Sequence, residues 1–167
     1  MFKVRIGSPI RMAAAERLSS AEEIINKIGK CAIESKYDGF RLLVNKKGKE
    51  ITLFTRRLEN VSAQFPDVVD VIRKNIKGES FILDSEVVGY DPKTKKYMPF
   101  EAISQRIKRK YEIEKLIREL PVEINIFDVL YYNGKNTMNE PFSERRKIVE
   151  KIVNEKKLII RPAVQIV

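Results

Sequence analysis

Apolar residues recur along this chain at two different spacings. Ile24, Ile25 and Ile28 fall on one side of a helix that Ser20 and Glu23 open as a capping box and Gly29 closes. Val68, Val69, Ile72 and Ile76 follow Pro66 at helical spacing, which predicts a second helix with Pro66 in its first turn. Cys31–Ser35, Phe40–Asn45 and Ile51–Thr55 read as strands, the last two joined in a hairpin at Lys47-Gly48-Lys49. Phe81–Tyr90 and Val122–Tyr132 are further strands, bounded by the turn signals Asp91-Pro92 and Asn133-Gly134. Between them Ile103, Ile107, Ile113, Ile117 and Leu120 predict one helix over Glu101–Leu120, stopped by Pro121. Ser143–Asn154 predicts a charged amphipathic helix, and Leu158–Val167 a last extended piece. Strands in antiparallel pairs, with helices between and outside them, define an α+β domain. Residues 1–18 carry Gly7 and Pro9 without periodicity and read as a linker leading into a domain that spans 19–167.

With 167 residues, 43% of them hydrophobic, the chain can enclose one core. Its 33 lysines and arginines against 23 acids give a net charge of +10, which favours polyanionic partners such as nucleic acid or nucleotides. Histidine is absent, so catalytic triads and His-ligated metals are excluded, and chemistry falls to Lys, carboxylates or hydroxyls. The single Cys31 cannot form an internal disulfide and reads as a core thiol, consistent with a reducing compartment. No run approaches a membrane span and no signal peptide is evident, so the expectation is a soluble cytoplasmic protein without a membrane partner.

The segment richest in chemistry is Glu34-Ser35-Lys36-Tyr37-Asp38-Gly39-Phe40-Arg41, where a strand ends at an Asp-Gly corner that lets a ligand approach the backbone. A plain surface hairpin would also carry Lys-Tyr-Asp-Gly. Further along, Asp84 and Glu86 sit two apart on a strand, where such side chains share a face. The apolar residues around them make that strand look buried, and unpaired carboxylates are costly there. Phe127, in an apolar run, reads by itself as core. Arg106, Lys108, Arg109 and Lys110 form a basic run, commonly a solvated helix face but also suited to DNA phosphates.

Lys36-Tyr37-Asp38-Gly39-Phe40-Arg41 resembles the first motif of the covalent nucleotidyltransferases, which include DNA ligases, RNA ligases and mRNA capping enzymes. Thr55-Arg56-Arg57-Leu58-Glu59-Asn60 with Phe65-Pro66, Phe81-Ile82-Leu83-Asp84-Ser85-Glu86, the Phe127–Gly134 stretch and Pro141-Phe142-Ser143-Glu144-Arg145-Arg146 are similar, in order, to later blocks of archaeal and eukaryotic ATP-dependent DNA ligases. Gly7–Ala13 is similar to the linker entering that domain in archaeal ligases. Five matches in order are far more specific than one.

The resemblance implies an ATP-grasp-like nucleotidyltransferase (adenylation) fold, incomplete here because the later Glu-Gly and Lys-x-Lys motifs do not appear before Val167. It implies that Lys36 takes AMP from ATP, passes it to the 5′-phosphate of nicked DNA, and that the nick is then sealed, as in replication, repair and recombination. It assigns Glu34 to the adenine amino group, Phe127 to stacking on adenine, and Glu86 to magnesium or another divalent metal, or to ribose. Asp84 is a second, weaker metal candidate. Arg41 and Arg56 suit bidentate phosphate contact, and as neighbouring cations they favour the free amine that attack requires. A free lysine, with pKa of about 10.4, would otherwise spend about 4.6 kcal/mol on deprotonation at pH 7. The DNA-binding and oligonucleotide-binding domains of such ligases are not part of this chain. An RNA ligase, a capping-type enzyme and a non-catalytic nucleic-acid-binding fragment of ligase ancestry are the alternative readings.

Overall fold

The computed structural model describes residues 4–11 and 14–166. Met12 and Ala13 of the lead-in, and Val167, lie outside the described residues. Helix α1 (Ala21–Ile28) forms as its caps dictate: Ser20 accepts the Glu23 N–H at 3.1 Å, and Gly29 closes the helix with φ 69°. Glu23 returns its carboxylate to the N–H of Ser19, one residue earlier than the capping box predicts. Strands β1 (Ile33–Glu34), β2 (Phe40–Lys47), β3 (Glu50–Thr55), helix α2 (Pro66–Asn75) and strand β4 (Ser80–Gly89) follow.

The helix expected over Glu101–Leu120 is two helices, α3 (Phe100–Lys108) and α4 (Ile113–Glu119). Ile107 and Ile113 are six residues apart, which at 3.6 residues per turn moves the apolar stripe off its face. The chain breaks there, with Glu112 left-handed at φ 56° and Tyr111 83% exposed. Strands β5 (Val122–Tyr132) and β6 (Lys135–Asn136), helix α5 (Phe142–Ile152), and strands β7 (Ile160–Pro162) and β8 (Gln165–Ile166) complete the chain.

The main sheet runs β3-β2-β4-β5-β6 in antiparallel order, with β7 added parallel to β5; β1 and β8 make a separate antiparallel pair. Helices α2, α3 and α5 pack on one face, burying Leu42, Leu83, Ile126, Ile72, Ile103 and Val149. The other face has two zones. Leu43, Phe54 and Ile82 are covered by Val4, Ile6 and Ile10 of the lead-in, whose Gly7 N–H donates to Asn45 at 3.1 Å. Towards the β1 end the same face turns polar, and there the register sets Arg41 beside Glu86, Glu86 beside Asn125 and Asn125 beside Arg161. Among the described residues no helix is long and apolar enough to cross a membrane.

Candidate functional site

Lys36 lies on the short connection between β1 and β2. Its corner is held close to the sheet because a Cβ at Gly39 would stand 2.1 Å from the carbonyl oxygen of Val87, so only glycine fits. The backbone is thus fixed while the side chain is exposed, its Nζ donating only a 3.3 Å bond to the carbonyl of Tyr37.

Glu86 faces this corner from β4. Burial pushes its carboxyl up to about 7, against the pull of Lys36 and aided by the nearby Asp84. Asp84 sits two residues back on the same face and is 5% exposed. Both its oxygens accept from Arg41, at 2.6 Å from Nε and 2.7 Å from Nη2, in a bidentate pair. Burial holds the Asp84 carboxyl above its ordinary range despite that pair. The strand pattern therefore brings the two carboxylates to one face, but it spends one of them on Arg41. Among the described residues no group of three or more Asp, Glu, Cys or His could hold a metal. Glu86, half-buried beside Asp84 on the same strand face, is not bonded to Arg41.

Glu34 ends β1, two residues before Lys36. Its Oε1 accepts from Gln165 Nε2 at 3.0 Å, and partial burial raises its carboxyl above the usual range. Phe127 is half-buried and belongs to neither apolar cluster. A β-bulge explains its position: Asp84 pairs with Asp128 and Ser85 with Ile126, leaving Phe127 as the extra residue on β5. Its neighbour Asp128 takes Arg145 of α5 in a bidentate pair at 2.7 and 3.1 Å, tying the start of that helix to the strand.

Arg56 follows the last residue of β3. With Arg41, Arg57, Lys108 and Lys110 it lines a cleft of about 690 Å³ between the β3 end and α3. The basic run thus divides: Lys108 and Lys110 face the cleft, while Arg106 is fully buried, paired to Asp67 at 2.5 Å and stacked 4.5 Å from the Phe65 ring. Cys31, expected in the core, is only half-buried.

Several polar residues of this face were not singled out from sequence. Asn125 is fully buried with both amide atoms unpartnered, and Arg161 Nε beside it is also buried without a hydrogen bond. Glu123, 1% exposed, accepts the Tyr97 hydroxyl at 2.5 Å. A signal existed, because Glu123 and Asn125 alternate with Ile124 and Ile126 at period two. Nothing in the local pattern marks Tyr97.

Residues 12–166 match the family described as ATP dependent DNA ligase domain. The chain is 47% identical over 166 residues to a DNA ligase of Nanoarchaeum equitans, covering 99% of this chain and 29% of that protein. It is 45% identical over 153 residues to a DNA ligase of Saccharolobus solfataricus, covering 91% of this chain and 25% of that one. The chain thus spans about a quarter to three tenths of these relatives' length. Among solved structures, the ligase domain of LigD from M. tuberculosis is similar with TM-score 0.55 and 24% identity, over 79% of this chain and 39% of that chain. A mycobacterial DNA ligase D complexed with ATP and MES matches with TM-score 0.54 and 23% identity, over the same shares.

Proposed function

The chain belongs to the ATP-dependent DNA ligase domain family, and on that premise we propose that it is the nucleophile-bearing front part of an adenylation domain within a longer ligase polypeptide. The observation that carries this is the exposed Lys36 side chain on a backbone corner pinned by Gly39, facing Glu86.

In the proposed reaction the neutral Lys36 amine attacks the α-phosphorus of ATP. A P–N bond forms, pyrophosphate leaves with the electrons of the broken P–O bond, and AMP stays on Nζ as a covalent intermediate. The nick's 5′-phosphate then takes the AMP, and the 3′-hydroxyl displaces it to form the phosphodiester. Positioning and charge stabilisation carry most of such a reaction, so a fixed corner with a free side chain suits it. Arg56 and the cations beside it supply positive charge at the cleft. Arg41, held by Asp84, has its Nη1 left to offer.

Glu34 and Phe127 are the residues proposed for adenine, Glu34 for its amino group and Phe127 for stacking on the ring. A half-buried carboxylate suits Mg²⁺ bound through one protein oxygen, water and substrate phosphate, and Glu86 would be that residue. When bound, the ion would neutralise developing phosphate charge. Asp84 is committed to Arg41 and is left out of this set. The +10 charge suits a nicked-DNA substrate, and the place of work would be inside the cell, at its DNA.

The test is incubation of the complete ligase polypeptide with α-labelled ATP and a divalent ion, followed by peptide mapping. The expected result is acid-labile AMP on Lys36 and none in Lys36→Ala. Label persisting in Lys36→Ala would overturn the reading.

A further inference from the structure

Both flanks of Lys36 are tied to one short segment. Glu34 accepts from the Gln165 side chain at 3.0 Å and pairs with it across β1 and β8. The Tyr37 hydroxyl accepts the Val164 N–H at 3.2 Å. Support also comes from the loop that follows β4. The ring of Tyr97 meets Tyr37 edge-on, with centroids 6.5 Å apart at 80°, and Asp38 Oδ2 accepts the Phe100 N–H at 3.4 Å.

Tyr97 is itself fixed. Its backbone bridges Tyr90, the next residue's N–H donates to the Gly89 carbonyl at 2.8 Å, and its hydroxyl donates to Glu123 Oε1 at 2.5 Å. Tyr97 is 47% exposed, so filling the core does not explain it, and Glu123 is 1% exposed, which is costly for a carboxylate without a strong donor. Burial and the adjacent Glu123 push the Tyr97 phenol upward, keeping it a donor through the physiological range.

We infer that Tyr97 and Glu123 are positioning residues for the nucleophile: they hold Tyr37, and through it the Lys36 corner, while leaving the amine free. This rests on Lys36 being the nucleophile only for its effect on rate, since the clamp itself is a statement about backbone order. Tyr97→Phe removes one hydroxyl and keeps the ring. In hydrogen exchange of the complete ligase polypeptide, amides 36–39 should exchange about two- to tenfold faster, the scale of one lost hydrogen bond, while β4 and β5 stay protected.

In the complete ligase polypeptide the same change should slow AMP transfer to Lys36 about ten- to hundredfold at saturating ATP, the order expected of a small misplacement, with little change in half-saturation. Glu123→Gln, which keeps an acceptor, should stay near the parent in both measurements, and Glu123→Leu should behave like Tyr97→Phe. The exposed Tyr111→Phe serves as the control without effect. Unchanged exchange at 36–39 in Tyr97→Phe overturns the inference, as does equal acceleration across β4 and β5, which would mark a general loss of stability. Should the parent take no label at Lys36, the functional reading fails and the exchange result still decides the clamp.

Discussion

Replacing Asp84 by Ala should be among the most damaging single changes on the sheet. Arg41 is 8% exposed and Asp84 5%, and two bonds of 2.6 and 2.7 Å join them. Loss of Asp84 leaves a nearly buried guanidinium without the carboxylate it is bonded to, which costs about 3–5 kcal/mol. In a domain of this size each kcal/mol lowers the melting midpoint by about 2–4 °C, so the expected fall is about 6–20 °C. The pair as a whole is worth much less, because its attraction mainly offsets the cost of burying two charges. The double variant Arg41→Met, Asp84→Leu should therefore lie close to the parent in stability. Urea unfolding of the parent, both singles and the double gives the coupling energy directly. A cost below about 1 kcal/mol for Asp84→Ala, or a coupling below about 0.5 kcal/mol, would refute the pairing argument and return Asp84 to the list of free carboxylates.

Phe127→Ala should weaken ATP binding to the complete ligase by about 1–3 kcal/mol, the scale of base stacking on aromatics, and Phe127→Tyr much less; calorimetric titration showing no loss for Ala would place the ring outside the pocket. Glu86 has a folded-state pKa of about 7 against an ordinary 4.5, so the fold prefers the acid form: the stability this lends is complete below pH 4.5 and is lost as pH rises through 7. Glu86→Gln should then raise the melting midpoint at pH 8 and leave it unchanged at pH 4.5, and an equal effect at both would contradict a titrating origin. The isolated 167-residue chain should not seal nicked duplex, since losing even one preorganised donor can cost about 10²–10³ in rate; ligation within tenfold of the complete enzyme would show that the reaction's residues have been misjudged.

The architecture was legible where one face of an element meets a core and illegible where a phase changes. Val68 and Ile72 behind Pro66, and the strands around the Gly48 turn, stand where periodicity puts them. Between Ile107 and Ile113 the apolar residues keep an approximate spacing but lose phase, so a pattern that predicts one helix folds as two. Ile25 and Ile28 show the converse case, in which a correct amphipathic stripe and correct caps give a helix whose apolar residues are 58% and 60% exposed. Periodicity predicts which side is apolar. It does not say what covers that side.

At the site, residue type and spacing located the backbone corner that carries Lys36 and put Asp84 and Glu86 on one face, because glycine at 39 and period two on β4 are local properties. What they could not supply was the partner of each charge, since Arg41 meets Asp84 across 43 positions and Arg106 meets Asp67 across 39. Those long-range pairs decide which groups stay available for ligands. Arg106 of the basic run is spent inside the protein, Asp84 is spent on Arg41, and Lys36, Glu86, Lys108 and Lys110 remain outward-facing or only partly engaged. Charge that carries chemistry on this face is therefore the charge left after the fold has paired its own, and only the register of β2 on β4 and the packing of α3 on α2 reveal that remainder.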